Sequence, residues 1–136
     1  MRRLLLGIVV ALAVAGVVVG AAAAASPTVR MAIVHTVRGC HVWKTTKVLE
    51  ETTLMTVKAR TKVEVRASCP MDFDLAQLRG PALAGLSRLQ AGTTRTLVFR
   101  KRGTYVLRAT NVQTSEELGL QTLGPDHVLT LTVVVR

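Results

Sequence analysis

Residues 94–110, Thr94-Arg-Thr-Leu-Val-Phe99-Arg-Lys-Arg-Gly103-Thr-Tyr105-Val-Leu-Arg-Ala-Thr110, decide the fold. Two runs rich in Val, Thr and aromatic residues flank a short basic stretch ending in Gly103, which turns the chain back. Such residues fit a pleated, half-buried surface, and the glycine supplies the break between strands. The same punctuation recurs on both sides. Val29, Met31, Ile33, His35 and Val37 alternate with Thr28, Arg30, Ala32, Val34 and Thr36 in strand periodicity. Thr52 to Lys58 and then Val63, Val65 and Ala67 form two runs joined by Ala59-Arg60-Thr61, and His127 to Val135 closes the chain with β-branched residues. The expectation is an all-β domain, an antiparallel β-sandwich, with Ile33, Val63, Val65, Phe99, Tyr105 and Val133 in its core. Leu75 to Gln90, broken by Gly80-Pro81 and Gly85, fits no clean period and reads as a strand end followed by an irregular excursion with one helical turn. Asn111 to Pro125 reads as a long connection, with Thr114-Ser115-Glu116-Glu117 similar to a helix start.

The first 25 residues stand apart. Arg2 and Arg3 precede a run from Leu4 to Gly20 without a charged or polar side chain, and Ala21 to Ala25 follow as small residues. That order is the pattern of a secretory signal peptide, with cleavage expected after Ala25 and a retained membrane anchor as the alternative. Residues 1–25 are thus expected to be a leader and residues 26–136 one exported domain: secreted, periplasmic or associated with the cell envelope. The chain carries 18 Lys and Arg against 8 Asp and Glu, a net charge of +10, and loss of Arg2 and Arg3 leaves +8. For an exported protein this charge points to an anionic envelope surface or an acidic protein as partner. Nucleic acid is not expected, because a base-stacking platform needs clustered aromatics and only Trp43, Phe73, Phe99 and Tyr105 are present. A simpler account is a solvated face: Lys58, Arg60, Lys62 and Arg66 share the outer side of a strand pair, where lysine also discourages edge pairing.

The chain resembles a cupredoxin. Phe99-Arg100-Lys101-Arg102-Gly103-Thr104-Tyr105 is similar to that family's F-x-x-x-G-T-Y segment, Leu54 to Val65 to its strand–turn–strand, and Cys69 to Asp74 falls where its first copper-binding histidine loop would follow. Gly39-Cys40-His41-Val42-Trp43 and the turn Thr122-Leu123-Gly124-Pro125-Asp126 resemble a subgroup of exported cupredoxin-like domains. The resemblance implies a cupredoxin-like antiparallel Greek-key β-sandwich and a copper site, but the blue ligand set is not retained. The cysteine position of the penultimate strand holds Ala109, the loop from Asn111 to Pro125 has no Cys, His or Met, and Phe73 stands where histidine is expected. A blue site needs a thiolate and two imidazoles with a weak axial thioether.

Cys40, His41, Cys69 and Met71 offer thiolate, imidazole and thioether, a set suited to Cu(I), and His127 can join them from the last turn. Cys40 and His41 are neighbours and face inward together only if Gly39 bends the strand. The same two cysteines form the candidate disulfide Cys40–Cys69, whose loop of about 30 residues gives roughly 3–4 kcal/mol on loop-entropy arithmetic. His35 reads as a packed strand residue, and Trp43 as a core anchor whose indole needs one hydrogen-bond acceptor. An enzyme is not expected. Asp72 and Asp74 share a strand face, with Asp72 expected to accept backbone hydrogen bonds, and no nucleophile, zinc or phosphate-loop motif occurs. The expected function is an exported, non-catalytic cupredoxin-like domain with copper at a non-blue Cys/His/Met site. The alternative is a metal-free structural or interaction module held by the disulfide.

Overall fold

The computed structural model describes residues 25–36, 41–47, 50–112 and 128–136. Among these residues nine strands are present: β1 Thr28–His35, β2 His41–Lys44, β3 Thr52–Val57, β4 Thr61–Ser68, β5 Phe73–Arg79, β6 Arg88–Leu89, β7 Thr94–Phe99, β8 Gly103–Asn111 and β9 Val128–Val135. They form two sheets, with strand orders β2-β1-β4-β7 and β3-β9-β8-β5-β6. Consecutive side chains on a strand point to opposite faces. From Val63 through Ala67, Cys69, Met71, Phe73 and Leu75 the odd-numbered residues are all buried, so one inward face continues from the end of β4 through its connection into β5. Met31, Ile33, Trp43, Leu97, Phe99, Tyr105, Leu107, Leu131 and Val133 are among the residues that join them in the core between the sheets. All six residues expected in the core are there.

The sheets are mixed rather than purely antiparallel. β1 pairs β4 in parallel, Thr28 opposite Lys62 through Val34 opposite Ser68, and β3 pairs β9 in parallel, Thr52 opposite Thr130 through Val57 opposite Val135. Parallel partners require a crossover connection. For β1 and β4 it is made by β2, which stays in the first sheet, and β3, which belongs to the second.

The residues joining β7 to β8 explain the aromatic–glycine–tyrosine spacing. Gly103 has φ 143°, and beyond it Tyr105 meets Phe99 edge-on with ring centroids 4.9 Å apart. The Tyr105 hydroxyl donates to the Lys101 carbonyl at 2.8 Å, so the turn is tied to the core by a buried ring. Trp43 is buried, and its indole Nε1 donates to the Thr130 carbonyl at 3.1 Å, joining β2 to β9 across the sandwich.

The excursion after β5 contains no helical turn. Gln77 replaces one: its amide nitrogen donates to the carbonyls of Arg79 (3.2 Å) and Pro81 (2.7 Å), and its oxygen accepts from the Leu83 amide at 3.0 Å. These bonds satisfy the backbone without helix, while Leu83 and Leu86 pack against the core. The cations at Lys58, Arg60, Lys62 and Arg66 are exposed, as expected. Edge protection is not their role along β4, because β4 lies inside its sheet between β1 and β7. Thr114 to Glu117 and the turn at Thr122 to Asp126 lie outside the described residues.

Candidate functional site

One pole of the sandwich gathers the chemistry-bearing side chains. β1 ends there at His35, β2 begins at His41, β4 runs out into Cys69–Asp72, β5 begins at Phe73, and β8 ends at Asn111. Strand register puts these positions level: His35 opposite His41, Val34 opposite Ser68, Phe73 opposite Asn111. Of the five proposed ligands, His41, Cys69 and Met71 are brought to this pole and are buried. Cys40 and His127 lie outside the described residues, and so does the Cys40–Cys69 pairing.

His41 faces inward from β2 and is completely buried. Its ring stacks on His35 at 4.9 Å with an interplanar angle of 18°, and meets the edge of Phe73 at 5.2 Å and 76°. His35 is therefore part of this pole. Its own strand marked it as inward-facing, but the contact with His41 depends on the β1–β2 register, which brings two directly opposed side chains together. Its Nε2 is buried, with no hydrogen-bond partner among the described residues. Cys69 Sγ lies 4.0 Å from the Met71 carbonyl oxygen, and the Asn111 side-chain amide donates to Met71 Sδ at 3.1 Å. Asn111 is the residue that sequence reasoning passed over. Nothing local marks it, because its register with Phe73 comes from pairing between β5 and β8.

This arrangement bears directly on copper. Phe73 is fully buried against His41, at the position where the cupredoxin resemblance expects an imidazole. The Met71 sulfur, the expected thioether ligand, is engaged by Asn111. The nitrogen lone pairs of an imidazole lie in its ring plane, so the nearly parallel rings of His35 and His41 do not converge on one ion as they stand. Among the described residues no three His, Cys, Asp or Glu side chains form a group able to hold a metal. Those residues alone therefore do not build a copper shell.

Asp72 and, at the start of β5, Asp74 both have structural partners. Asp72 Oδ1 accepts from the Ala91 amide at 2.8 Å, and its carbonyl accepts from Val112 at 3.0 Å. The backbone acceptance expected of Asp72 is present, and its side chain reaches the turn before β7. Asp74 is paired with Arg88, whose Nε donates to Oδ1 at 2.9 Å. The hydrogen bond and charge of Asp74 raise the Arg88 guanidinium above its ordinary value. A groove of about 480 Å³ lies elsewhere, on the outer face of the first sheet, lined by Arg30, Lys44, Glu64 and Arg66 among others.

No protein-family model matches the chain, and no curated sequence is similar enough to count as a relative. Among solved structures, the chain is similar to a purple cupredoxin from Nitrosopumilus maritimus, at 14% identity over 77% of this chain and 98% of that one, with a TM-score of 0.46. It is similar to an oxidised mutant of amicyanin at 14% identity over 82% of each chain, TM-score 0.41. A cysteine protease inhibitor from Entamoeba histolytica covers 61% of this chain and 84% of its own, at 14% identity and a TM-score of 0.34.

Proposed function

We propose that this chain is an exported, non-catalytic cupredoxin-like domain that works as a structural or interaction module, its histidine pole closed by packing. The observation that carries this reading is Phe73, fully buried with its ring edge on His41 where an open metal site would need a ligand. The bond from Asn111 to Met71 Sδ supports it, since copper binding would have to replace that contact. Copper at a non-blue site is the second reading, favoured by the gathering of His41, Cys69 and Met71 at one pole. With Ala109 in the penultimate strand, a copper-loaded form is expected to lack intense blue absorption.

Two measurements on the full chain separate these readings. In a competition titration with a Cu(I) chelator, the module reading expects no stoichiometric uptake and no difference between wild type and Met71→Leu. Stoichiometric uptake that Met71→Leu abolishes would replace it with the copper reading. Alkylation of the non-reduced protein followed by mass measurement is expected to modify neither Cys40 nor Cys69, because a sulfur held in a disulfide is neither nucleophile nor thiolate ligand. Two modified cysteines would remove the crosslink from the proposal.

A further inference from the structure

The opposite pole is strongly cationic. The β3–β4 turn presents Lys58 and Arg60, β4 opens with Lys62, and the residues joining β7 to β8 are Arg100, Lys101 and Arg102, all six exposed. The fold holds these segments together. The Arg60 amide donates to the Phe99 carbonyl at 2.7 Å, Lys62 stands opposite Val98, and Lys101 is anchored through its carbonyl by the Tyr105 hydroxyl. None of the six is in an ion pair among the described residues. The described acids are elsewhere. Asp72 and Asp74 belong to the histidine pole, the Glu50 carbonyl accepts from the Trp43 amide on β2, the Glu51 carbonyl accepts from Thr130 near the start of β9, and Glu64, one inward–outward step up β4 from Lys62, is paired with Arg30 at 3.1 Å.

The chain also enters the domain at this pole. The Pro27 carbonyl accepts from the Lys62 amide at 2.9 Å, and Thr28 stands opposite Lys62 at the start of β1. The sequence before it includes Leu4 to Gly20, the apolar run without a charged or polar side chain. Under the retained-anchor alternative, six residues (21–26) separate that run from Pro27 at this pole.

We infer that this cationic pole docks on the anionic phospholipid surface of a membrane. Anionic headgroups complement six exposed cations that form no ion pair among the described residues, and each Lys or Arg near such a surface strengthens attachment about fivefold. The inference deepens the interaction-module reading by naming the partner. Its test is read at lysines remote from His41, so a copper result leaves it standing or falling on its own.

The experiment is site-resolved amine labelling of the full chain in phosphatidylglycerol–phosphatidylcholine vesicles and in pure phosphatidylcholine vesicles at low ionic strength. Lys58, Lys62 and Lys101 are expected to label at least about fivefold more slowly with the anionic lipid. Lys44 serves as the internal control: it stands opposite Ala32, four residues or about 13 Å along β1 from the level of Lys62, and its rate is expected not to change. Protection should vanish at about 1 M salt, where the screening length falls to roughly 3 Å. The triple variant Arg100→Gln, Lys101→Gln, Arg102→Gln should lose protection at Lys58 and Lys62. Lys58→Gln with Lys62→Gln should lose it at Lys101, which keeps the test intact if the triple variant does not fold. Equal labelling in the two lipids overturns the inference, as does equal slowing at Lys44. Protection by soluble polyphosphate without any effect of anionic vesicles also overturns it, in favour of a soluble polyanion.

Discussion

Trp43→Ala is expected to destabilise the domain by about 3–5 kcal/mol, the range for truncating a large aromatic in a packed core. Several effects combine at this position. The indole is 1% exposed, so its removal leaves a cavity between the sheets. The Thr130 carbonyl also loses its Nε1 donor, a hydrogen bond worth about 1 kcal/mol. β2 is a four-residue edge strand, paired among the described residues only with β1, and Trp43 ties it to β9 in the other sheet. For a domain whose whole stability is typically about 5–15 kcal/mol, the loss is a large share. Urea titrations of wild type, Trp43→Ala and Trp43→Phe measure it. The phenylalanine variant keeps most of the volume but not the hydrogen bond, so it should fall between the other two. An alanine variant within about 1 kcal/mol of wild type would contradict the assignment of Trp43 as the anchor between sheets.

The history of that strand shows what a sequence can and cannot disclose. β1, β3, β4, β7, β8 and β9 are six to nine residues long and carry enough Val, Thr and aromatic residues to declare themselves. β2 and β6 have four and two residues, and both lie at sheet edges, where pairing with a neighbour rather than local preference makes them strands. The parallel pairs β1–β4 and β3–β9 were hidden for a related reason: periodicity tells which side of a strand is buried, not which strand lies beside it. The same boundary runs through the site. Met71 and His41 were legible as soft or imidazole donors in short segments, and Phe73 as a departure from the cupredoxin pattern. His35 stacked on His41 and Asn111 on Met71 required register between strands, and no local signal carries that. The cationic pole was legible only as Lys58, Arg60 and Lys62 at alternate positions of one segment. Its concentration depends on two turns that are 40 residues apart in the chain and share a backbone hydrogen bond from Arg60 to Phe99.

Gly80→Ala is expected to cost at least about 3 kcal/mol, although it adds a single methyl group to an exposed position. Gly80 follows β5 immediately after the register shift between Gln77 and Arg79, and has φ +111°. An L side chain rarely adopts that backbone, and forcing one near the left-handed side costs roughly 1–2 kcal/mol. The larger part is steric. A Cβ built there would lie 2.5 Å from the Thr104 carbonyl oxygen and 2.9 Å from the Tyr105 Cα, both backbone atoms. β8 cannot simply move aside, because it is paired with β5 on one side and with β9 on the other, and Tyr105 is locked between Phe99 and the Lys101 carbonyl. The strain must therefore be taken up by displacing the β5 end, along with the Gln77 bonds that organise the following loop. Gly92→Ala supplies the comparison. Gly92 has φ +75°, but nothing lies within 4 Å of its Cβ position, so only the conformational cost of about 1–2 kcal/mol applies. Urea denaturation of the two variants isolates the overlap as the difference between them. A Gly80→Ala loss no greater than that of Gly92→Ala would show that β8 yields, and that the close approach of the two backbones is not what requires glycine there.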